Sequence, residues 1–244
     1  MKNLHDIAII QMNSSTNKKE NLQISIDYIK KASKKNVKYI FFPEFQMAFS
    51  PSDQSLSELS ILSESIDERN GFVYKLQKQA KQNDINVLAT IFEKSGNKQD
   101  KRVYDTALYI DRQGVVQSVY RKLHLYDALG FKESKKFLSG DKLEKPIKTT
   151  MGKIGIMICY DIRFPEMSRI LTTLGSSILT VPSGWVHGIM KEDHWNIMLK
   201  ARAIENGCYV VAPDQIGNIF SGRSMVVDPF GNVLCDMGNR EGIE

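Results

Sequence analysis

Cysteine is scarce in this chain: Cys159, Cys208 and Cys235 are the only three in 244 residues, an odd number with no CxxC spacing. That excludes a disulfide framework and a zinc ribbon, and reduced thiols are expected. Histidine is nearly as rare, and His187 and His194 form no metal-ligand spacing with Cys208 and Cys235, so no metal site is expected. Long apolar runs are missing too. Residues 39–42 and 154–159 are among the longest, far short of the roughly 20 residues a membrane helix needs, so no membrane span is expected. There is no basic run interleaved with aromatics despite a formal net charge of +5. Lys34, Lys35, Lys135 and Lys136 therefore read as a solvated face, and nucleic acid is not an expected partner. The first residues lack the apolar region of a secretory signal, which predicts a cytoplasmic protein.

What is present is an ordinary globular composition, 42% hydrophobic and 25% charged, without a fixed-period repeat or a Pro/Gly/Ser-rich linker. Residues 1–244 therefore read as a single domain. Residues 6–12 read as a strand, Asn17 as the cap of a helix with Leu22, Ile26 and Ile29 on one face, and 39–42 as a buried strand. Phe72, Val73, Leu76 and Ala80 mark a second amphipathic helix, and 85–92 the next strand. This β-α alternation predicts a mostly parallel arrangement. The rhythm then changes, because 103–110 and 115–120 flank the turn Asp111-Arg112-Gln113-Gly114 with no room for a helix. A second hairpin joins 225–228 to 233–235, and strands at 154–158, 178–181 and 208–212 alternate with helices opening near Pro165 and spanning about 194–206. Mixed sheets with helices in this proportion predict a layered α/β sandwich. The segments 46–70 and 125–143 read as long, functional loops.

Cys159 ends an apolar strand and precedes Tyr160-Asp161-Ile162-Arg163-Phe164-Pro165, so its thiol sits at a strand-to-helix elbow. Backbone N–H groups there can stabilise a thiolate or an oxyanion; the plain alternative is a buried structural cysteine. A nucleophilic thiol needs a base, and none of His5, His124, His187 and His194 stands in a diagnostic setting. Glu44, among Phe41, Phe42, Pro43 and Phe45 at the end of a strand, is the candidate, because an apolar pocket raises a carboxyl toward neutrality. Lys122 follows the strand 115–120 and can present positive charge to an oxyanion, although a solvent-facing lysine is the commoner case.

These residues fall at carboxyl ends of strands, where α/β sheets gather their active sites. The segments Phe42-Pro43-Glu44, Tyr120-Arg121-Lys122-Leu123-His124-Leu125 and Cys159-Tyr160-Asp161-Ile162-Arg163-Phe164-Pro165-Glu166 resemble, in order and spacing, the three signatures of the nitrilase superfamily of carbon–nitrogen hydrolases. Matches at His194-Trp195, residues 202–206 and residues 222–231 extend the resemblance over nearly the whole chain. It implies a four-layer α-β-β-α sandwich with two mixed sheets, paired in homodimers or higher homo-oligomers. Members of the superfamily continue through a further strand and a C-terminal tail, whereas this chain stops at Glu244, soon after the strand 233–235, so that strand is expected to be missing and the dimer interface reduced.

It also implies an amidohydrolase of small non-peptide amides acting through a cysteine thioester, without metal or cofactor. In it Glu44 is the base, Lys122 the oxyanion stabiliser and Glu133 an additional active-site glutamate. The stretch 159–166 and Ser183-Gly184-Trp185 resemble the omega-amidase and deaminated-glutathione amidase branches, whose substrates carry a carboxylate. Tyr160, Arg163, Ser183 and Trp185 are the candidate substrate-binding residues. Competing readings are a binding or regulatory protein without turnover, an acyl-transferring member, and an N-carbamoyl amino acid amidohydrolase. Intact Glu44, Lys122, Glu133 and Cys159 argue against the first.

Overall fold

In a computed structural model, which describes residues 6–97 and 99–244, helices form the two outer layers and β-sheets the two inner ones. His5 lies outside the described residues. The first half runs β1 (Ile7–Gln11), α1 (Lys18–Lys34), β2 (Tyr39–Phe41), α2 (Leu56–Leu62), α3 (Phe72–Gln82), β3 (Asn86–Lys94), β4 (Val103–Ile110) and β5 (Val116–Arg121). A short 3-10 turn, Glu133–Lys135, leads to β6 (Phe137–Leu138), β7 (Ile147–Thr149) and β8 (Gly152–Ile156). A second 3-10 turn, Cys159–Arg163, leads into α4 (Pro165–Thr173), β9 (Ile178–Thr180), α5 (Lys191–Asn206) and β10 (Tyr209–Ala212). The chain closes with β11 (Ile216–Gly217), β12 (Phe220–Ser221), β13 (Met225–Val227), β14 (Val233–Asp236) and β15 (Gly242–Ile243).

The first sheet has the order β15-β1-β2-β3-β4-β5, with β6 beside β4; the second has the order β14-β13-β10-β9-β8-β7. Each holds three parallel neighbours, β1-β2-β3 and β8-β9-β10, continued on one side by an antiparallel hairpin and closed on the other by one antiparallel strand. The two sheets thus share one topology, a duplication that no sequence period betrays.

Alternation within the strands builds the layers. Ile9, Tyr39 and Phe41 point into the core between the sheets, while Ala8, Ile10, Ile40 and Phe42 point to Leu22, Ile29, Phe72 and Leu76 on α1 and α3. Asn17 caps α1 by accepting from the Lys19 N–H, and Pro165 opens α4, both as the sequence predicts. The turn at 111–114 closes because the Asp111 carboxylate accepts the Gln113 and Val115 N–H groups. Gly114 there has φ +80, and a Cβ would strike the Gln77 carbonyl at 2.6 Å.

Four expectations change. The helix predicted from about 194 begins at Lys191, because Met190 takes a left-handed φ of +59 and the acidic Glu192 and Asp193 fill the first turn. The two long loops are partly structured: α2 with its Ser55/Glu58 capping box lies in the first, a 3-10 turn and β6 in the second. Lys136 is not on a solvated face; it is half-buried, and its Nζ donates to Ser50 Oγ and the Pro51 carbonyl, tying those two loops together. A strand beyond 235 exists within the chain, since Gly242–Ile243 adds to the edge of β1.

Candidate active site

Three chain segments leave the carboxyl ends of β2, β5 and β8 and converge. After β2 the chain turns through Pro43 and Glu44 with Phe45 at φ +59. The turn is pinned from several sides. Thr90 Oγ1 donates to the Pro43 carbonyl at 2.7 Å, the Gln46 and Thr90 N–H groups bond across it, and Gln215 Nε2 donates to the Glu44 carbonyl at 2.9 Å. Glu44 is completely buried. One carboxylate oxygen accepts Lys122 Nζ at 2.6 Å and the other the Gly184 N–H at 2.6 Å.

Lys122, also buried, donates a second hydrogen bond to Glu133 Oε1 at 2.9 Å, and the other Glu133 oxygen accepts the Tyr126 N–H at 2.6 Å. Asp105 on β4 brings a third carboxyl, its Oδ2 3.8 Å from Nζ. One oxygen from each of Glu44, Asp105 and Glu133 lies within 4.8 Å of the others, a cluster that would suit a cation, and the Lys122 ammonium is that cation.

Cys159 stands at the elbow with φ +44, a left-handed conformation that costs a non-glycine residue on the order of 1–3 kcal/mol and is characteristic of functional positions. Its N–H is held by the Pro182 carbonyl at 3.0 Å, and Sγ lies 3.9 Å from the Gly184 carbonyl. Asp161 enforces the turn. Its buried carboxylate accepts the Tyr120 hydroxyl at 2.6 Å, the Ile158 N–H at 2.9 Å and the His124 N–H at 3.0 Å, and faces His124 Nδ1 at 2.8 Å. One side chain thus bolts the cysteine elbow to the segment that carries Lys122. The Tyr160 N–H, next in the chain, donates to no group among the described residues.

The titration behaviour follows from this enclosure. Burial is the largest influence on Glu44 and would raise it, but the charge of Lys122 and the hydrogen bonds from Lys122 and Gly184 hold it below the usual carboxylate range. The apolar-pocket expectation is therefore corrected: Phe41 and Phe42 surround the turn, but Glu44's own oxygens meet N–H donors. Burial also acts most strongly on Lys122 and opposes its charge, yet Glu133, Glu44, Cys159 and Asp105 outweigh it and fix the ammonium form. The Cys159 thiol is pushed well up, first by burial and then by Glu44, so it rests protonated and needs a base.

Of the candidate substrate-binding residues, Tyr160 and Arg163 sit half-buried at the mouth. Tyr160 packs against Tyr126 and Phe164, and the Arg163 guanidinium lies 5.1 Å from the Trp185 ring centre with its Nε unpartnered. Trp185 forms the back wall, buried against Trp195, its Nε1 donating to the Lys191 carbonyl at 2.7 Å. Ser183 turns away: its hydroxyl donates to the Val181 carbonyl at 2.9 Å, and Gly184 beside it makes the contacts to Glu44 and Cys159.

Sequence reading pointed to Arg163 or the loop 183–194 for a substrate carboxylate without singling out Lys191, whose Nζ lies 4.4 Å from the Trp185 ring and 4.6 Å from the Tyr126 ring and donates to the Tyr126 hydroxyl at 3.2 Å. Among the described residues neither Lys191 nor Arg163 is in an ion pair. His187, His194, Cys208 and Cys235 form no ligand cluster among the described residues. A cleft of about 910 Å³ lies elsewhere, at the opposite strand ends beside Tyr39, Asn86 and Thr149.

The sequence profile of the family described as carbon-nitrogen hydrolase matches residues 6–243. The chain is 35% identical over 245 residues to the nitrilase and fragile histidine triad fusion protein NitFhit of Drosophila melanogaster, covering 96% of this chain and 51% of that protein. It is 33% identical over 249 residues to the deaminated glutathione amidase of Rattus norvegicus, covering 97% and 74%. The crystal structure of the C. elegans NitFhit protein superposes with a TM-score of 0.89 at 32% identity, covering 98% of this chain and 59% of that one. The chain therefore spans little more than half the length of the fusion proteins.

Proposed function

The chain belongs to the carbon-nitrogen hydrolase family, and from that premise we propose that it hydrolyses a small, carboxylate-bearing, non-peptide amide through a Cys159 thioester. The observation that carries this reading is the convergence of Glu44, Lys122 and the strained Cys159 elbow in one buried cluster. Glu44 accepts the thiol proton and Sγ attacks the amide carbon. Lys122 Nζ and the free Tyr160 N–H hold the oxyanion. The carbon–nitrogen bond then breaks, the proton on Glu44 passes to the leaving nitrogen, and ammonia or an amine departs. Glu44, anionic again, takes a proton from water; the hydroxide opens the thioester, the carboxylic acid leaves, and Glu44 returns the proton to the expelled Cys159 thiolate. Glu133 keeps Lys122 aimed. No step calls for a metal or cofactor.

The substrate's carboxylate is assigned to the buried Lys191 and the half-buried Arg163, cations beside Trp185 that lack a carboxylate partner among the described residues. The deaminated glutathione amidase name of the rat relative agrees with such a substrate. Residues 1–244 act as one domain, and pairing into a homodimer would cover Ile170 of α4, Leu174 at its C-terminal cap, and Ile197 and Ile204 of α5, all exposed. Among the described residues no helix is long and apolar enough to cross a membrane. The three free cysteines suit a reducing compartment such as the cytoplasm.

The test is ammonia or amine release from a panel of amides by the protein and by Cys159→Ala. The panel holds 2-oxoglutaramate, deaminated glutathione, simple aliphatic amides and N-carbamoyl amino acids. Release by the parent alone is expected, strongest for a carboxylate-bearing amide. Silence from both, or equal release, refutes the reading.

A further inference from the structure

Asp105 sits in the middle of the catalytic cluster without a visible partner. It lies on β4 opposite Phe92 of β3, is 1% exposed, and neither of its oxygens meets an N–H or a hydroxyl donor among the described residues. The nearest cation, Lys122 Nζ, stands at 3.8 Å, beyond hydrogen-bonding reach, and is already committed to Glu44 at 2.6 Å and Glu133 at 2.9 Å. Three carboxyl groups thus surround one ammonium, and Asp105, Glu44 and Lys122 among them are buried. Ionising all three leaves two negative charges without a counter-charge, and a buried carboxyl in that position takes up a proton instead.

Hydrogen-bond donors decide where the proton sits. Both oxygens of Glu44 accept N–H groups, from Lys122 and Gly184, and both oxygens of Glu133 do so, from Lys122 and Tyr126. Asp105 has none, and as a carboxylate it would be an unsatisfied acceptor on both sides.

We infer that Asp105 is a positioning residue kept as a neutral carboxylic acid, its O–H donating to the Glu44 carboxylate. It holds that base in place and leaves Lys122 with two anionic neighbours rather than three. The proton stays on Asp105 throughout turnover, and Glu44 alone exchanges protons with Cys159 and water. Burial first and the Glu44 charge second push the Asp105 carboxyl well above its ordinary range, and the bond from Asp105 helps hold Glu44 down. The charged groups facing Asp105 are Glu44 after β2, Lys122 after β5 and Glu133 on the 3-10 turn. Cys159 acts on the same Lys122 from the elbow, and Glu93 on β3 is taken up by Arg121 and Thr106. A neutral amide can replace a neutral acid here; a bare carboxylate cannot.

The inference rests on the base role proposed for Glu44, so its test includes a readout that needs no turnover. In the infrared, the wild-type protein at neutral pH is expected to show a C=O stretch of a protonated carboxylic acid that the wild-type-minus-Asp105→Asn difference spectrum assigns to Asp105, separate from any contribution of the buried Asp214. Asp105→Asn is expected to keep kcat/KM within about threefold, because its amide still donates to Glu44. Asp105→Leu removes the donor and moves the acid limb of kcat/KM up by about one pH unit, the equivalent of one hydrogen bond to a charged group.

No protonated-acid band in the difference spectrum, or loss of activity in Asp105→Asn to the level of Cys159→Ala, overturns the inference, as does an unmoved acid limb in Asp105→Leu. If the leucine variant does not fold, the band and the asparagine rate remain decisive. If Glu44→Gln still hydrolyses amides while the band is present, the base role fails and the protonated Asp105 stands.

Discussion

Replacing Lys191 by methionine tests the assignment of the substrate's carboxylate. Methionine keeps the length and apolar stem that pack between Trp185 and Tyr126 and removes only the charge. If the ammonium donates a charge-assisted hydrogen bond to a substrate carboxylate, its loss costs about 1.5–3 kcal/mol, or roughly 10–150-fold in kcat/KM. A neutral aliphatic amide of similar size never made that bond and should keep its rate. The assay is initial-rate ammonia release for the two amides, with KM and kcat separated. The loss should fall mainly on KM, because the carboxylate is bound equally in ground and transition states.

Stability gives a second reading of the same variant. Burial, the largest influence, and Arg163 both lower the Lys191 pKa in the folded protein, so below that value the folded state holds a disfavoured charge. Between the lowered folded value and the ordinary lysine value, the unfolded chain binds the extra proton, so this group's contribution to stability rises with pH through that window. Lys191→Met removes the penalty, and the melting temperature at neutral pH should not fall. Equal weakening of both amides, or an unchanged KM for the carboxylate-bearing one, refutes the assignment.

Glu44→Gln should lower kcat by about 10²–10⁴-fold, with KM little changed. In the parent, kcat/KM should fall only as pH drops through the depressed Glu44 pKa, below the usual carboxylate range; an acid limb near neutrality counts against Glu44 as the base. Cys159→Gly and Cys159→Ala should both be inactive, but chemical denaturation should find the glycine variant more stable by about 1 kcal/mol, because only alanine keeps the cost of φ +44. Asp161→Asn should lower both stability, by roughly 2–3 kcal/mol, and kcat, since it weakens the bonds joining the elbow to the Lys122 segment. Unchanged kcat with lowered stability would confine Asp161 to a purely structural part. Ser183→Ala should leave KM unaltered and cost about 1 kcal/mol, the worth of its bond to Val181.

How much of this was legible in the sequence depended on the range over which each feature is determined. Strand alternation, the Asn17 cap, Pro165 and the Asp111–Gly114 turn act over a few residues, and each forms where the sequence predicts. The start of α5 was misread because nothing local announces it: Met190 adopts its left-handed φ without a capping side chain, and the first helical turn carries Lys191 inward. The meeting of Glu44, Lys122, Glu133 and Cys159 was legible only as a pattern of three motifs, since their contacts cross both sheets.

Charge balance was the part that no local pattern could supply. Aromatic neighbours in sequence pointed to a raised Glu44, yet the turn directs its oxygens at Lys122 and at the backbone of residue 184, one 78 positions away and the other 140. The site needs one carboxylate to stay ionised beside a protonated thiol, and a single lysine cannot hold three ionised acids around it. Distributing donors unevenly, two to Glu44, two to Glu133 and none to Asp105, lets identical chemical groups within 4.8 Å of one another differ in charge. Reading that distribution requires the path of the chain after β2, β5 and β8 together, which is why Asp105, an unremarked residue inside an ordinary strand, emerges only in the folded protein.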